Sequence, residues 1–371
     1  MLDLSVSWHF KRPKLTQALA TKLVDRQRIA MFGARQKGKT TLLREELIPR
    51  LVARGVLPIY IECWADRKDP MGSINHALSK SLEELKLAPG HVGRRLARTP
   101  VRKLGAFGAS IELGDVGRRK LPKSPTLRFD ALLTQVLEAT THDVALLFDE
   151  FQAVAEVDES KTLSAGLRAA LTQANHRVGV VFSGSSQTQL LRMFTTSKAP
   201  LYQFANAEPY PLLKDDFVSH VAQKFHEATR RELNQALALR LLEDFGHQPG
   251  PFLHVQAIMV SDPAIKLDKA FTSMLNAKSR TLWTVAWNEL MPTQRVALRL
   301  VADKQAPTSA ASLDMAAQQL GKLRVASSTM DRALKALEAK GLVQKDGSYG
   351  VVDPVLNAWL LHNAKLPVNG A

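Results

Sequence analysis

The chain has 371 residues, of which 45% are hydrophobic and 23% charged, and its formal net charge is +15. These values are typical of a water-soluble protein with two or three packed domains, and the longest apolar runs are too short for a membrane-spanning helix. A single cysteine, Cys63, excludes an internal disulfide. Because the first ten residues also lack the pattern of a secretory signal, we expect a cytoplasmic protein without a membrane segment.

The positive charge is concentrated at the N-terminal side, where residues 1–135 carry 26 Lys and Arg against 12 Asp and Glu. Such a field attracts polyanions, nucleic acid first, although a generally solvated basic face is the alternative interpretation. The arginines that we assign to DNA binding on this basis are Arg94, Arg95 and Arg98.

The first predicted strand, residues 27–32, leads into a glycine-containing loop and then a helix. Four residues of this segment match the pattern G-x-x-x-x-G-K-[ST], in which backbone amides and the helix N-terminus bind phosphate. We expect Lys39 to neutralise the β and γ phosphates and the Thr40 hydroxyl to ligate Mg²⁺. The predicted nucleotide-binding residues are Gly33, Ala34, Arg35, Gln36, Lys37, Gly38, Lys39, Thr40 and Thr41.

A second apolar run, at residues 143–152, reads DVALLFDEFQ and ends in two acidic residues. Such a run is typical of a buried parallel strand. At its carboxyl end, Asp149 is expected to hold Mg²⁺ through water, and Glu150 to orient and deprotonate the attacking water. Because both acids are present, we predict hydrolysis of ATP rather than nucleotide binding alone.

Two more strands are predicted at residues 56–62 and 177–182. The latter runs into a serine-rich turn, where Ser183 or Ser185 could contact the γ phosphate or the lytic water. A turn of small residues without this role is the alternative. Strands that alternate with helices in this way predict a doubly wound α/β domain with its ligand at the carboxyl ends of the strands.

The C-terminal part of the sequence predicts a compact helical unit. Amphipathic helices are expected at residues 292–302, 313–323 and 327–340, the last with a serine cap, followed by a hairpin around Asp346-Gly347. Three helices and a hairpin form a winged helix. Thr329, Arg332 and Lys335 would face outward from its third helix toward a DNA groove, although such domains also dock proteins.

The sequence resembles the archaeal-type ATPases of the STAND and AAA+ superfamily. The segments that carry this resemblance are GARQKGKTTLL, IYIECW, LLFDEFQ, FSGSS, APLY and DPVLNAWL. The resemblance implies a sheet of order 5-1-4-3-2, a helical lid over the nucleotide and a C-terminal winged helix. The domains expected on this basis are an N-terminal lead-in (1–26), the P-loop ATPase core (27–205), the lid (206–278) and the winged helix (279–371).

The chain departs from that family in two places. Gln203 and Phe204 follow APLY where family members often have Gly-Arg, so a charge-stabilising arginine must come from elsewhere. We predict Arg168, acting on a neighbouring subunit of a homo-oligomer, with a solvated helix-face arginine as the alternative. The lid turn at residues 246–249 is one residue longer than Gly-x-Pro, which favours a helix-capping role for His247 over nucleotide contact.

Three functions are compatible with the sequence. The first is an ATP-driven switch that acts on double-stranded DNA, of the loading, transposition or mobile-element type. The second is a STAND-type signalling or defence ATPase whose winged helix docks a protein partner. The third is a scaffold that binds nucleotide without turnover.

Overall fold

The computed structural model describes residues 4, 8–87, 121–278 and 283–362. Arg94, Arg95 and Arg98, which we assigned to DNA binding from the sequence, lie outside the described residues. The chain divides into two compact units, one formed by Lys11–Pro211 and the other by Met1–Phe10 with Leu212–Ala371. The predicted domain boundaries remain predictions.

The first unit is built on a five-stranded parallel sheet. Its strands are β1 (Arg28–Phe32), β2 (Leu57–Glu62), β3 (Val144–Asp149), β4 (Val178–Gly184) and β5 (Asn206–Pro209). They lie in the order β2-β3-β4-β1-β5, so the predicted order 5-1-4-3-2 is confirmed. All residues of β3 and β4 are buried, whereas β5 is an edge strand with three exposed residues of four.

Helices cover both faces of this sheet. They are α1 (Pro13–Val24), α2 (39–52), α3 (Pro70–Leu87), α4 (Pro125–Ala139), α5 (Gln152–Val157), α6 (Thr162–Gln173) and α7 (Gln187–Thr195). Two buried apolar clusters result, because side chains of successive strand residues point to opposite faces. Leu146 and Phe148 of β3 pack into one cluster, and Ala145 and Leu147 into the other.

Helix α2, which follows the phosphate loop, has an irregular pattern of backbone hydrogen bonds. It begins as one α-helical turn (Lys39–Thr41), continues as a π-helix (Leu42–Leu47) and ends as an α-helix (Ile48–Val52). Pro49 has no amide hydrogen and cannot donate to the i−4 carbonyl, so a regular ladder cannot pass through this point. The sequence pattern had predicted an ordinary helix here.

The second unit is helical apart from one hairpin. Its elements are α8 (Asp215–Thr229), α9 (Gln235–Asp244), α10 (Pro249–Ser261), α11 (Leu267–Lys278), α12 (Thr284–Asn288), α13 (Pro292–Ala302), α14 (Ala310–Gln319), α15 (Ser327–Ala339), β6 (Val343–Asp346), β7 (Ser348–Val351) and α16 (Pro354–His362). One continuous apolar cluster joins them. Within the described residues, no helix is both long enough and apolar enough to span a membrane.

Two details of this unit differ from the prediction. Helix α14 begins at Ala310 rather than 313, because the Ser309 hydroxyl caps it by accepting from the Ser312 amide. It ends at Gln319, just before Gly321, which has the left-handed φ of 62°. Ser327 does not cap α15, since Ala326 occupies the N-cap position and no side chain bonds there.

Candidate nucleotide site

The phosphate loop and the acidic strand meet at the carboxyl edge of the sheet. Thr40 is the second residue of α2, and Asp149 is the last residue of β3. Although 109 positions separate them in the chain, the Thr40 hydroxyl donates a hydrogen bond of 2.6 Å to Asp149 Oδ2. Asp149 is 2% exposed whereas Thr40 is exposed, so the bond joins a buried acid to the surface of the phosphate loop.

The backbone of the phosphate loop has little room for other side chains. Gly38 precedes the helix in the left-handed region with a φ of 91°, which glycine adopts without steric cost. At Gly33, a Cβ atom would lie 2.9 Å from Cβ of Tyr210, the residue that follows β5. The loop therefore requires glycine at both positions for different reasons, left-handed backbone at Gly38 and close packing at Gly33.

Two buried lysines give the loop its positive charge. Lys39 Nζ donates to the carbonyl oxygens of Gly33 and Ala34 at 2.6 and 2.8 Å. Burial lowers the pKa of Lys39, while the carboxylates of Glu150 and Asp149 act in the opposite direction. Burial, together with the charge of Lys39, lowers the pKa of Lys37 to about 8. The loop thus holds two ammonium groups whose charge a polyphosphate would stabilise.

Glu150 is fixed beside Asp149 in a restrained conformation. Its φ of 54° is in the left-handed region, which non-glycine residues rarely adopt and which is often found at functional sites. Its Oε2 accepts from Ser185 Oγ at 2.6 Å, Gln152 Nε2 at 2.5 Å and the Ser185 amide at 3.2 Å. The predicted general base therefore has a defined position at the tip of the sheet.

The two predicted serines are placed differently. Ser185 follows β4 and contacts Glu150, as described above. Ser183 lies inside β4, is fully buried, and its Oγ has no hydrogen-bond partner among the described residues. Of the two serines, the structure thus brings only Ser185 into contact with the acidic pair.

Arg35 extends the loop toward the tip of β2. Its guanidinium lies 4.7 Å from the ring centroid of Trp64, and its Nε is 3.4 Å from Ser185 Oγ. Arg67 covers the same ring at 4.5 Å and pairs with Glu156 of α5 at 3.0 Å. These contacts connect the phosphate loop with the ends of the neighbouring strands.

Sequence reasoning missed two side chains of this site. Gln152 is fully buried and donates to Glu150, and Tyr60 of β2 donates from its hydroxyl to Asp149 Oδ2 at 2.9 Å. Both positions lie in segments that the sequence had marked, LLFDEFQ and IYIECW. The sequence did place Tyr60 in a predicted strand next to the acidic strand. Only the register of β2 against β3 shows that its side chain is the one that reaches Asp149.

Arg168 has a structural task in this chain. From α6 its Nη1 donates to the carbonyl oxygens of Pro200 and Tyr202 at 2.6 and 3.1 Å, and its guanidinium lies 5.2 Å from the Phe204 ring. Arg28 covers Phe204 at 4.1 Å. These contacts stabilise the turn before β5 and leave Arg168 only partly exposed, and the catalytic role that we predicted for it on a neighbouring subunit stays a prediction.

The remaining predicted residues are distributed as follows. Gln36 and Thr41 of the loop segment are exposed and Ala34 is partly buried. In the second unit, Arg332 and Lys335 of α15 are exposed and Thr329 is partly buried. His247 has a φ of 60°, and its ring Nδ1 lies 2.8 Å from the Leu213 carbonyl oxygen within the same unit.

The donor set fits a magnesium nucleotide. Mg²⁺ prefers oxygen ligands and retains several of its waters, and the Thr40 hydroxyl and the Asp149 carboxylate supply oxygens that face each other. The Thr40 hydroxyl and the Asp149 carboxylate would hold the metal, which would supply positive charge to neutralise the phosphates. Lys39 and Lys37 would face the phosphates, and Glu150 could orient a water and accept its proton.

Comparison with known proteins supports the fold. No family model matches the sequence, and no curated protein matches it. The Walker-type ATPase PABY2304 of Pyrococcus abyssi is similar in structure, with a TM-score of 0.57 at 14% sequence identity, over 95% of this chain and 96% of that chain. The Aeropyrum pernix ORC2 protein gives a TM-score of 0.47 at 15% identity, over 95% of this chain and 93% of its own. The first comparison shows that this chain shares the fold of a Walker-type ATPase.

Proposed function

We propose that this chain is a magnesium-dependent ATPase that works as a molecular switch on DNA. The observation that carries the first half of this proposal is the 2.6 Å contact between Thr40 and Asp149. The Thr40 hydroxyl, which would ligate the metal, thus lies beside the pair Asp149-Glu150, and the two lysines belong to the same phosphate loop. This is the arrangement that positions a triphosphate and an attacking water for phosphoryl transfer.

Phosphate release with ATP and Mg²⁺ tests the hydrolytic step. The substitution Glu150→Gln keeps the shape of the side chain but removes the general base, so turnover should fall by roughly 10²- to 10⁴-fold while ATP binding is retained. Glu159→Gln, an exposed glutamate of the same unit, serves as the matched control and should leave turnover unchanged. Undiminished phosphate release in Glu150→Gln would exclude Glu150 as the general base. Parallel reactions with GTP show whether the protein distinguishes adenine from guanine.

The DNA half of the proposal is supported by charge. The chain has a net charge of +15, and exposed Arg332 and Lys335 lie on α15, the third helix of the C-terminal group. Cationic side chains on such a helix neutralise DNA phosphates and release counterions, which makes the affinity fall steeply with salt. We extend this proposal to a winged-helix role for α13 to α15 with the β6–β7 hairpin.

Fluorescence anisotropy with a labelled DNA duplex, across a salt series and with or without ATP, tests this half. Replacing both Arg332 and Lys335 with alanine should reduce the salt slope by about 2, because each lost phosphate contact reduces it by roughly 1. The control removes two exposed charges elsewhere in the same unit, Arg240 and Lys269, and should leave the slope unchanged. Binding that is absent, or that does not depend on salt, contradicts an action on DNA.

One observation favours the second candidate, a STAND-type regulator that docks a protein. Helix α15 also exposes Asp331 and Glu338, and the adjoining turn exposes the whole side chain of Leu323. A surface of mixed charge with an exposed leucine suits a protein partner at least as well as a phosphate backbone. If the anisotropy assay detects no DNA binding, the protein-docking function replaces the action on DNA, and the proposed ATPase activity is unaffected.

A further inference from the structure

The carboxylate of Asp149 receives two hydroxyl donors on the same oxygen atom. Oδ2 accepts from Thr40 Oγ1 at 2.6 Å and from the Tyr60 hydroxyl at 2.9 Å, while Oδ1 accepts from the Glu150 amide at 3.2 Å. Thr40 belongs to the phosphate loop and Tyr60 to the neighbouring strand. Tyr60 is therefore an additional partner of the acid that we expect to hold the metal through water.

The position of Tyr60 follows from the register of the sheet. Tyr60 is paired with Leu147, two residues before Asp149, on the strand adjacent to β3. Side chains two residues apart on a strand share a face, so the phenol lies along the sheet and its hydroxyl reaches the carboxylate. The guanidinium of Arg44, from the π-helical stretch of α2, lies 5.2 Å from the centroid of the Tyr60 ring. Packing thus fixes the ring from the side of the phosphate loop.

The phenol is a permanent donor. A phenol carries its proton at neutral pH, and the Tyr60 hydroxyl lies 2.9 Å from Asp149 Oδ2, so it is placed to donate. The Thr40 hydroxyl has a second task in the proposed site, because a threonine that ligates a metal also directs an oxygen lone pair toward it. Tyr60 can keep its bond to Asp149 whether or not Thr40 keeps its own.

On these grounds, and resting on the proposed ATPase function, we infer that Tyr60 is a positioning residue for magnesium. It holds the Asp149 carboxylate at a fixed angle, so that the acid can receive the waters of the metal without rotating first. Groups that orient a metal-binding carboxylate from behind typically contribute 10- to 100-fold to metal affinity. Tyr60 itself contacts neither the metal nor the nucleotide in this account.

The test measures the magnesium requirement for nucleotide binding, which does not depend on turnover. The affinity of a fluorescent ATP analogue is determined for the full chain in EDTA and then over a magnesium titration. In Tyr60→Phe, we expect the magnesium concentration at half-effect to rise about 10-fold or more, with the EDTA affinity within about 2-fold of the parent. Tyr202→Phe is the matched control, since the Tyr202 hydroxyl contacts Gln203 and not the site, and it should behave like the parent.

A double-substitution cycle separates positioning from general loosening of the site. If Tyr60 acts through Asp149, Tyr60→Phe should have no further effect on the magnesium response once Asp149→Asn is present. An unchanged magnesium requirement in Tyr60→Phe overturns the inference, and so does an equal loss of affinity in EDTA and in magnesium. If the parent chain itself binds no nucleotide under either condition, the proposed function fails first and the inference falls with it.

Discussion

Ser185 is the residue whose contacts say most about how Glu150 would work. Its hydroxyl and its amide both donate to Glu150 Oε2, and Gln152 donates to the same oxygen. Three donors on one oxygen fix the direction of the carboxylate and leave Oε1 as the atom with room to approach a water. The serine turn after β4 therefore has a positioning role in this account, in place of the direct phosphate contact considered from the sequence.

We predict that Ser185→Ala lowers the rate of phosphate release by roughly 10- to 100-fold, because misplacing a catalytic group by about 1 Å can cost that much. The apparent KM for ATP should change little. Ser186→Ala is the control, because the neighbouring serine is outside the bonds to Glu150. Equal rates for the parent and Ser185→Ala would show that Gln152 and the backbone amide of residue 185 position the base without the hydroxyl.

We expect Lys37 to make nucleotide binding sensitive to alkaline pH. Its pKa is lowered to about 8 by burial and by Lys39, so the neutral form gains population in the folded protein as the pH rises above 8. Burial disfavours the charged form of Lys37, so this residue lowers the free energy of unfolding, and the effect is fully present below pH 8. The destabilisation disappears as the pH rises from 8 toward the ordinary lysine pKa. The phosphates of a bound nucleotide would favour the charged form of Lys37 and would therefore raise its pKa again.

Binding of ATP at pH 9 should consequently take up protons. Calorimetry in two buffers of different ionisation enthalpy measures this uptake, which should shrink in Lys37→Met and stay the same in Lys68→Met, an exposed lysine of the same unit. An uptake that does not differ between Lys37→Met and the parent would exclude Lys37 from the phosphate site.

At the scale of elements, four of the five strands were predictable because they are apolar, and three of them, β1, β3 and β4, lie inside the sheet. The fifth, Asn206–Pro209, is an exposed edge strand without an apolar pattern, and it falls just beyond the boundary that the sequence suggested at residue 205. The π-helical course of Leu42–Leu47 was not predictable either, since leucine spacing does not distinguish it from an α-helix. The contacts of Tyr60 and Gln152 depend on strand register and on the turn at Glu150, which no local pattern encodes.

The packing of α1 on β4 provides a test of the fold. At Gly179 of β4, a Cβ atom would lie 2.4 Å from the carbonyl oxygen of Leu23, which is backbone and cannot move aside easily. Gly179→Ala should therefore lower the free energy of unfolding by about 1–3 kcal/mol, measured by urea denaturation. Gly250→Ala, where nothing lies within 4 Å, should leave the stability unchanged or raise it slightly. Full stability of Gly179→Ala would contradict this packing.

At the scale of the whole molecule, the source of a charge-stabilising arginine is the open point of the proposed mechanism. Phe204 occupies the place where the resemblance led us to expect arginine, and Arg168 is engaged with the turn at Pro200 and Tyr202. An arginine from a second copy of the chain would satisfy the chemistry, as arginine fingers supplied in trans do. This keeps a nucleotide-dependent homo-oligomer as our proposal.

We predict that Glu150→Gln, which should bind ATP without hydrolysing it, assembles when ATP and magnesium are added. Light scattering coupled to gel filtration should give at least twice the monomer mass with ATP and the monomer mass without nucleotide. The reason is that a shared γ phosphate stabilises the contact between copies, by linkage between ligand binding and assembly. A mass that stays monomeric at saturating ATP would require the arginine to come from within the chain or from another protein.

The central claim is that a triphosphate and its metal lie between the loop at Gly33–Thr40 and the tip of β3. The most direct measurement is anomalous diffraction from crystals grown with a non-hydrolysable ATP analogue and Mn²⁺ in place of Mg²⁺. The account predicts one strong metal peak beside the Thr40 hydroxyl and the Asp149 carboxylate, with phosphate density against Lys39. A nucleotide bound elsewhere on the chain, or a metal peak remote from both oxygens, would contradict it.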